Sequence, residues 1–281
     1  MDSQNIYVLL HPTVYYGIIL ITITIMRKYL LFIFLALFSF STVDAQIEWT
    51  LLEDSTLTIS GTSMPDYKFK YFFTRKDTTI APWYRKSGSI KKIVIKEGVT
   101  RIGMWAFRNC YSVSSVEMPN SLTDIADHAF DNCHNITSVT IPNSVTSIGE
   151  QAFYNCSSLT SITIPESVTS IGESAFARCE ALTSITIPNS VKSIGGLTFG
   201  RCYRLASITI PKSVTSIGEQ AFVSCINLKS ITFEGSTPPK FGEDVFKDVN
   251  STIRVYVPAD CIQAYRMAMK RYLRKISIQA L

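Results

Sequence analysis

Three sets of residues in this 281-residue chain have types and spacings that invite chemistry. Six of its seven cysteines recur every 23 residues, at Cys110, Cys133, Cys156, Cys179, Cys202 and Cys225. Asp127, Glu150, Glu173, Glu219 and Glu243 form a second column that could be read as a calcium stripe. His128 and His134 offer imidazoles to a metal, six residues apart.

Each set reads more simply as structure. Thiols stacked in register would stand about 4.8 Å apart with parallel Cα–Cβ vectors, whereas a disulfide needs the two Cβ atoms turned towards each other. The cysteines therefore read as a buried thiol column filling a tight corner, and Cys261 lies outside it with no nameable partner. The acidic column is interrupted by Gly196, and carboxylates early in a short helix suit its dipole. Neither histidine has a Cys or carboxylate cluster at metal-ligand spacing, and no phosphate loop, nucleophile elbow or zincin motif occurs. No enzyme activity, cofactor or metal is expected.

The elements that would position these residues come from one phrase, Ile-Gly-x-x-Ala-Phe-x-x-Cys-x-x-Leu-x-x-Ile-x-Ile-Pro-x-x-Val, which recurs six times. Its Phe column is Phe107, Phe130, Phe153, Phe176, Phe199 and Phe222. A fixed period of this length marks a solenoid, whose coils stack to share a core that no coil could close alone. Counted from each Ile-Gly, the coils run 102–124, 125–147, 148–170, 171–193, 194–216 and 217–239. In the third, Leu159 to Pro165 alternates with period two, so Ile162 and Ile164 point inward, Ser161 and Thr163 outward, and Pro165 ends the strand. Gly149, Gly172, Gly195 and Gly218 mark a bend where a Cβ would crowd the chain or force φ positive, although Ala126 holds that place once. Residues 150–156 have the spacing of one short helical turn with Ala, Phe and Cys inward.

The fold expected is a repeat solenoid of the α/β class: a leucine-rich repeat with a parallel β-sheet on one face, short helical turns opposite and a small β-rich N-terminal cap. The solenoid occupies 89–240, the cap 46–88, and a last partial coil and closing cap 241–281. Met26-Arg27-Lys28, the apolar run 29–40 and Val43-Asp44-Ala45 read as an export signal cleaved after Ala45. The run is too short for a bilayer, which needs about 20 residues. Residues 1–25 read as an over-extended start, with an uncleaved anchor over 14–40 as the rival. No Cys follows the cleavage site to support a lipid anchor. A formal charge of +5, with basic residues towards both ends (Lys68, Lys70, Arg75, Lys76; Arg266, Lys270, Arg271, Arg274, Lys275), gives no mandate for nucleic acid. Membrane contact is expected only through the signal or the anchor.

The repeats IGEQAFYNCSSLTSITIP (148–165) and IGESAFARCEALTSITIP (171–188) resemble the BspA-like, or treponemal-type, leucine-rich repeat proteins of bacterial surfaces and some parasitic protists. The flanks resemble that family's ends, through Trp49, Ser55 to Gly61 and Ala81-Pro82-Trp83-Tyr84 on one side and Val255 to Tyr265 on the other. The resemblance implies an exported, cell-surface or secreted, non-enzymatic protein that adheres to extracellular protein or glycan. The alternative is an envelope-assembly solenoid with no host ligand.

Binding must then use exposed columns. The sheet presents Ser115, Ser138, Ser161, Ser184, Ser207 and Ser230 beside Glu117, Thr140, Thr163, Thr186, Thr209 and Thr232. Such an array suits a glycan, a protein strand or ordered water, and also simply solvates a sheet. Residues that vary between coils mark what the fold does not dictate. Tyr154, Arg178, Arg201, Tyr203 and Arg204, with Thr163, Thr186 and Thr209, form the candidate binding surface, because Tyr and Arg are enriched in binding hot spots. Asn135, Asn155 and Asn250 fit glycosylation sequons, relevant only in a eukaryotic cell.

Overall fold

The period of 23 becomes a geometry in which every residue lies on its copy one coil away. The computed structural model describes residues 47–68, 80–249 and 252–281, all within one compact unit, Ala45–Leu281. The export signal at 26–45, the extension 1–25, Lys70, Arg75, Lys76 and the Asn250 sequon lie outside the described residues. Among these residues, no helix is long and apolar enough to cross a membrane.

One face is the expected parallel sheet. Ser138–Thr140 pairs with Ser161–Thr163, and Ser207–Ile210 with Ser230–Phe233, each in register with Ser on Ser and Thr on Thr. The fourth coil joins through a single bridge, Thr186 to Thr209. Ile162 and Ile164 are buried while Ser161 and Thr163 are exposed, as the alternation requires. A second ladder, not foreseen, runs down the return stretch: Arg101–Ile102, Asp124–Ile125, Ser147–Ile148 and Ser170–Ile171 pair in parallel, and Ser193–Ile194, Ser216–Ile217 and Lys240–Phe241 form another set. Two residues per coil suffice, because one buried Ile beside one outward residue already fixes the register.

The third side corrects an expectation, since residues 150–156 form overlapping turns and no helix. Gln151, Phe153 and Asn155 donate their N–H groups to the carbonyls of Glu173, Ala175 and Ala177 in the next coil, at 2.8–2.9 Å. The intervening Ala152, Tyr154 and Cys156 donate within the coil to Gly149, Gln151 and Phe153. The alternation depends on left-handed backbone at Gln151 (φ 52°) and Asn155 (φ 56°), repeated in every coil. A helix would keep its N–H groups to itself, and packed helix axes stand about 8–10 Å apart. Stacked turns keep nearly the spacing of strands: successive Phe ring centroids lie 5.2–6.0 Å apart. The helix-dipole account of the acidic column falls with the helix.

The core consists of columns. The Phe rings stack within 7–22° of parallel, from Phe107 through Phe246. Trp83 continues the stack at the N-terminal end, 5.6 Å from Phe107, and donates its indole N–H to the Ala106 carbonyl at 2.7 Å. Tyr272 closes it edge-on, 5.2 Å from Phe246. All six column cysteines are buried and free. Five of them, Cys133 through Cys225, direct Sγ to the Phe carbonyl 26 residues earlier, at 3.0–3.3 Å. The bend glycines Gly149, Gly172 and Gly218 answer to crowding and not to φ, while Gly195 is less tightly enclosed. A Cβ at Gly172 would lie 2.4 Å from the Glu150 nitrogen, and one at Gly218 2.4 Å from that of Gly196.

Each end is sealed. The strands Ile47–Leu51 and Thr56–Gly61 pair antiparallel, and the second joins Lys92–Ile95 in parallel to begin the sheet. Asp66 accepts from Arg101 Nη1 (2.7 Å) and the Met104 N–H (2.8 Å), while Arg101 Nε reaches Asp124 (2.9 Å). At the other end Ile253–Val257 and Ile276–Ala280 extend the sheet. The helix Ile262–Ala268 carries Tyr265, whose hydroxyl donates to the Gly235 carbonyl at 2.9 Å.

Two predictions follow from this packing. Gly172→Ala should lower stability by about 1–3 kcal/mol, read by thermal or denaturant unfolding, because backbone must yield. Burial pushes Cys110, Cys179 and Cys225 up to about 12 and the other column thiols well above the usual range. The unfolded chain therefore loses these protons first, near pH 8.5. Stability present below that pH should fall between roughly 8.5 and 12, by up to about 1.4 kcal/mol per pH unit per thiol. Native iodoacetamide labelling should spare all six and denatured labelling reach them. Native labelling of the column would contradict the packing.

Candidate functional site

The left-handed positions organise the surface of the turn face. The column Asn109, Asn132, Asn155, Arg178, Arg201, Ser224 and Asp248 has φ between 55 and 62° throughout. Asn tolerates this region and other side chains resist it. The first three form an amide ladder: Asn132 Nδ2 donates to Asn109 Oδ1 (3.1 Å) and Asn155 Nδ2 to Asn132 Oδ1 (2.7 Å). His134 Nε2 lies 3.1 Å from Asn155 Nδ2. The ladder stops at Arg178, where the column changes from amide to guanidinium.

The position after each Phe decides the relief beside that column. In the first two coils it holds Arg108 and the buried Asp131, paired at 2.9 Å, with His128 Nδ1 3.3 Å from the same carboxylate oxygen. In the third it is Tyr154. In the fourth and fifth it shrinks to Ala177 and Gly200 before Val223 restores bulk. Beside these small residues lies a notch of about 190 Å³, lined by Tyr154, Ser174, Ala177, Leu197, Gly200 and Val223 together with Arg178 and Arg201; Leu197 and Val223 close in on Gly200, where a Cβ would stand 3.2 Å from each. The Arg178 guanidinium carbon stands 5.9 Å from the Tyr154 ring centroid.

Of the residues singled out from sequence, the structure brings Tyr154, Arg178 and Arg201 together in this notch. Tyr203 and Arg204 do not line it, and lie beyond Cys202, half-buried and exposed respectively. Thr163, Thr186 and Thr209 are exposed on the sheet, a separate surface. Sequence reasoning missed Ala177 and Gly200, whose signal is the drop in size within one column. It also missed Leu197, at a left-handed position (φ 54°).

A larger groove of about 450 Å³ follows the glycine bend past Asp124, Asp127, Glu150 and Glu173. Its acids are partly engaged, Asp124 by Arg101 and Asp127 Oδ1 by the Glu150 N–H at 2.7 Å. Among the described residues no group of three or more His, Cys, Asp or Glu side chains is placed to hold a metal ion.

The comparisons agree with this architecture. The pattern described as "BspA type Leucine rich repeat region" matches 80–206 and 197–280, in six copies and over more than half of the chain. No functionally curated protein matches. A leucine-rich repeat protein of T. pallidum, TpLRR, is similar at 23% identity and TM-score 0.50, over 68% of this chain and 91% of that one. The pneumococcal vaccine antigen PcpA is similar at 14% identity and TM-score 0.43, over 86% and 98%. A leucine-rich cell surface protein of Faecalibacterium prausnitzii is similar at 22% identity and TM-score 0.31, over 86% and 95%. At these identities the likeness to TpLRR speaks for the fold alone.

Arg178→Asn, which continues the amide column, should raise stability by about 0.5–1 kcal/mol. A thermal melt should show a gain of about 1–4 °C, and a loss would mean that the guanidinium anchors the coil.

Proposed function

The chain belongs to the BspA-type leucine-rich repeat family, and from that premise we propose that it is an exported, non-enzymatic cell-surface protein that binds extracellular protein or glycan. The observation that carries this reading is the sheet face. Its outward Ser and Thr side chains are in register, Thr140 on Thr163 and Thr209 on Thr232, with Thr186 bridged to Thr209; they are exposed from Ser138 to Thr209 and half-buried at Ser230 and Thr232. A surface of short hydroxyl side chains loses little side-chain entropy on contact and offers donors and acceptors at a constant step. Affinity would then accumulate along the stack, with no residue doing chemistry. The export signal expected at 26–45 and the family's occurrence on bacterial surfaces support the location.

The test is binding of residues 46–281 to immobilised host matrix proteins and a glycan array. It includes a variant with Thr163, Thr186 and Thr209 all replaced by Lys. We expect saturable binding by the parent and at least a roughly ten-fold loss in the variant, with unchanged circular dichroism. Equal binding by both would remove the sheet from the account. Binding only to the producing cell's own envelope would favour an assembly role.

A further inference from the structure

We propose that the notch between Tyr154 and Val223 receives a single acidic side chain of a protein partner, whose carboxylate is held by Arg178 and Arg201. This rests on the reading of the chain as a binding protein, but not on use of the sheet.

The notch is built by two small residues at a position that elsewhere carries Arg108, Asp131, Tyr154 and Val223. Ala177 and Gly200 are small in adjacent coils only, and the depression lies between the larger Tyr154 on one side and Val223 on the other. Its apolar lining of Ala177, Leu197, Val223 and the Tyr154 ring suits a short methylene stem. At about 190 Å³ it falls below the roughly 300–1,000 Å³ of pockets that enclose drug-sized ligands. One side chain is the scale that fits.

The border supplies the charge. Arg178 and Arg201 hold φ of 60° and 61° in a column where Asn is the conformationally easy choice and occurs three times. Strained backbone retained against an easy alternative is a mark of functional positions. Neither guanidinium has an ion-pair partner among the described residues. Arg178 instead rests over the Tyr154 ring at 5.9 Å, an arrangement that orients its planar donors before any ligand arrives. The five N–H donors of a guanidinium match the two oxygens of a carboxylate. Glu173 and Glu219 line a neighbouring groove that meets this one at Leu197, and among the described residues neither pairs with Arg178 or Arg201.

The test uses the full chain with labelled Ala, Leu and Val methyl groups, followed by NMR. The probe is N-acetyl-glutamic acid α-amide, which carries one side-chain carboxylate, and the control is its uncharged glutamine counterpart. We expect saturable shifts at Ala177, Leu197 and Val223 with the acid and none with the amide. A double variant, Arg178→Asn with Arg201→Asn, should bind the acid at least about ten-fold more weakly while melting no lower than the parent, so misfolding cannot explain the loss. Equal shifts from both probes, no shifts, or binding retained in the variant would overturn the proposal. Tighter binding of the methyl glycoside of N-acetylneuraminic acid would overturn the assignment to a protein side chain and give the notch to an acidic sugar. The three-Thr sheet variant should leave these shifts intact, so failure of the sheet reading and failure of the notch are separately visible.

Discussion

Backbone hydrogen bonding between coils at a near-constant step, on all three sides, is the constraint from which the other features follow. Where the step is near 5 Å, a residue at one position meets its own kind above and below, so each column must be self-compatible. Phe satisfies this by parallel stacking, with centroids 5.2–6.0 Å apart. Cys satisfies it because Sγ finds the Phe carbonyl of the preceding coil, at 3.0–3.3 Å, and needs nothing from its neighbouring thiols. Glycine is used where the coils come so close that a Cβ at Gly149 or Gly242 would meet backbone at 2.4–2.5 Å. Where a carboxylate is buried in a column, as at Asp131, a neighbour of opposite sign, Arg108, meets it at 2.9 Å.

Much of this is legible in the sequence, because self-compatibility leaves repetition behind. The solenoid, the inward Ile162 and Ile164 and the unpaired thiols follow from the period and from strand alternation. The turn side was misread because Ala152, Phe153 and Cys156 have helix-like spacing. Side-chain spacing cannot report that Gln151 and Asn155 adopt left-handed backbone, and those two residues turn alternate N–H groups towards the next coil. An attentive reading of Asn109, Asn132 and Asn155 as residues that tolerate that conformation would have found it. The Ser147–Ile148 ladder was hidden for another reason, since two residues are too few to show a period. The notch was half visible: Tyr154, Arg178 and Arg201 stood out as unusual, but Ala177 and Gly200 draw no notice until neighbouring coils show what is missing beside them.

The same constraint separates stability from recognition. Core columns keep to side chains of like size, with Thr198 and Val245 the departures in the Ala column, whereas outward positions differ more freely from coil to coil. The left-handed column lies between these extremes. Its backbone is dictated by the inter-coil bonds of Arg178 to Gly200 (2.7 Å) and Arg201 to Val223 (2.8 Å), yet its side chains project to the surface. A cation placed there is held on a rigid, strained support, which limits the orientational freedom to be lost when an anion binds.

The distribution of charge bears on how local such binding must be. Six of the 27 basic residues and one of the 22 acidic residues lie in 252–281, which accounts for the whole formal charge of +5 and leaves the rest of the chain balanced. The solenoid therefore adds no general positive field to the region around Arg178 and Arg201. Exposed charges farther apart than a Debye length, about 8 Å at physiological salt, are screened from one another. The C-terminal cap packs on the last coils, through Ser230–Thr232 and Phe246, and not on the coils of Arg178 and Arg201. An anion selected there must be recognised at close range, by donor geometry and by the shape left where Ala177 and Gly200 replace larger side chains. Selectivity would then depend on fit more than on net charge, and highly charged polyanions would gain no advantage over a single well-placed carboxylate.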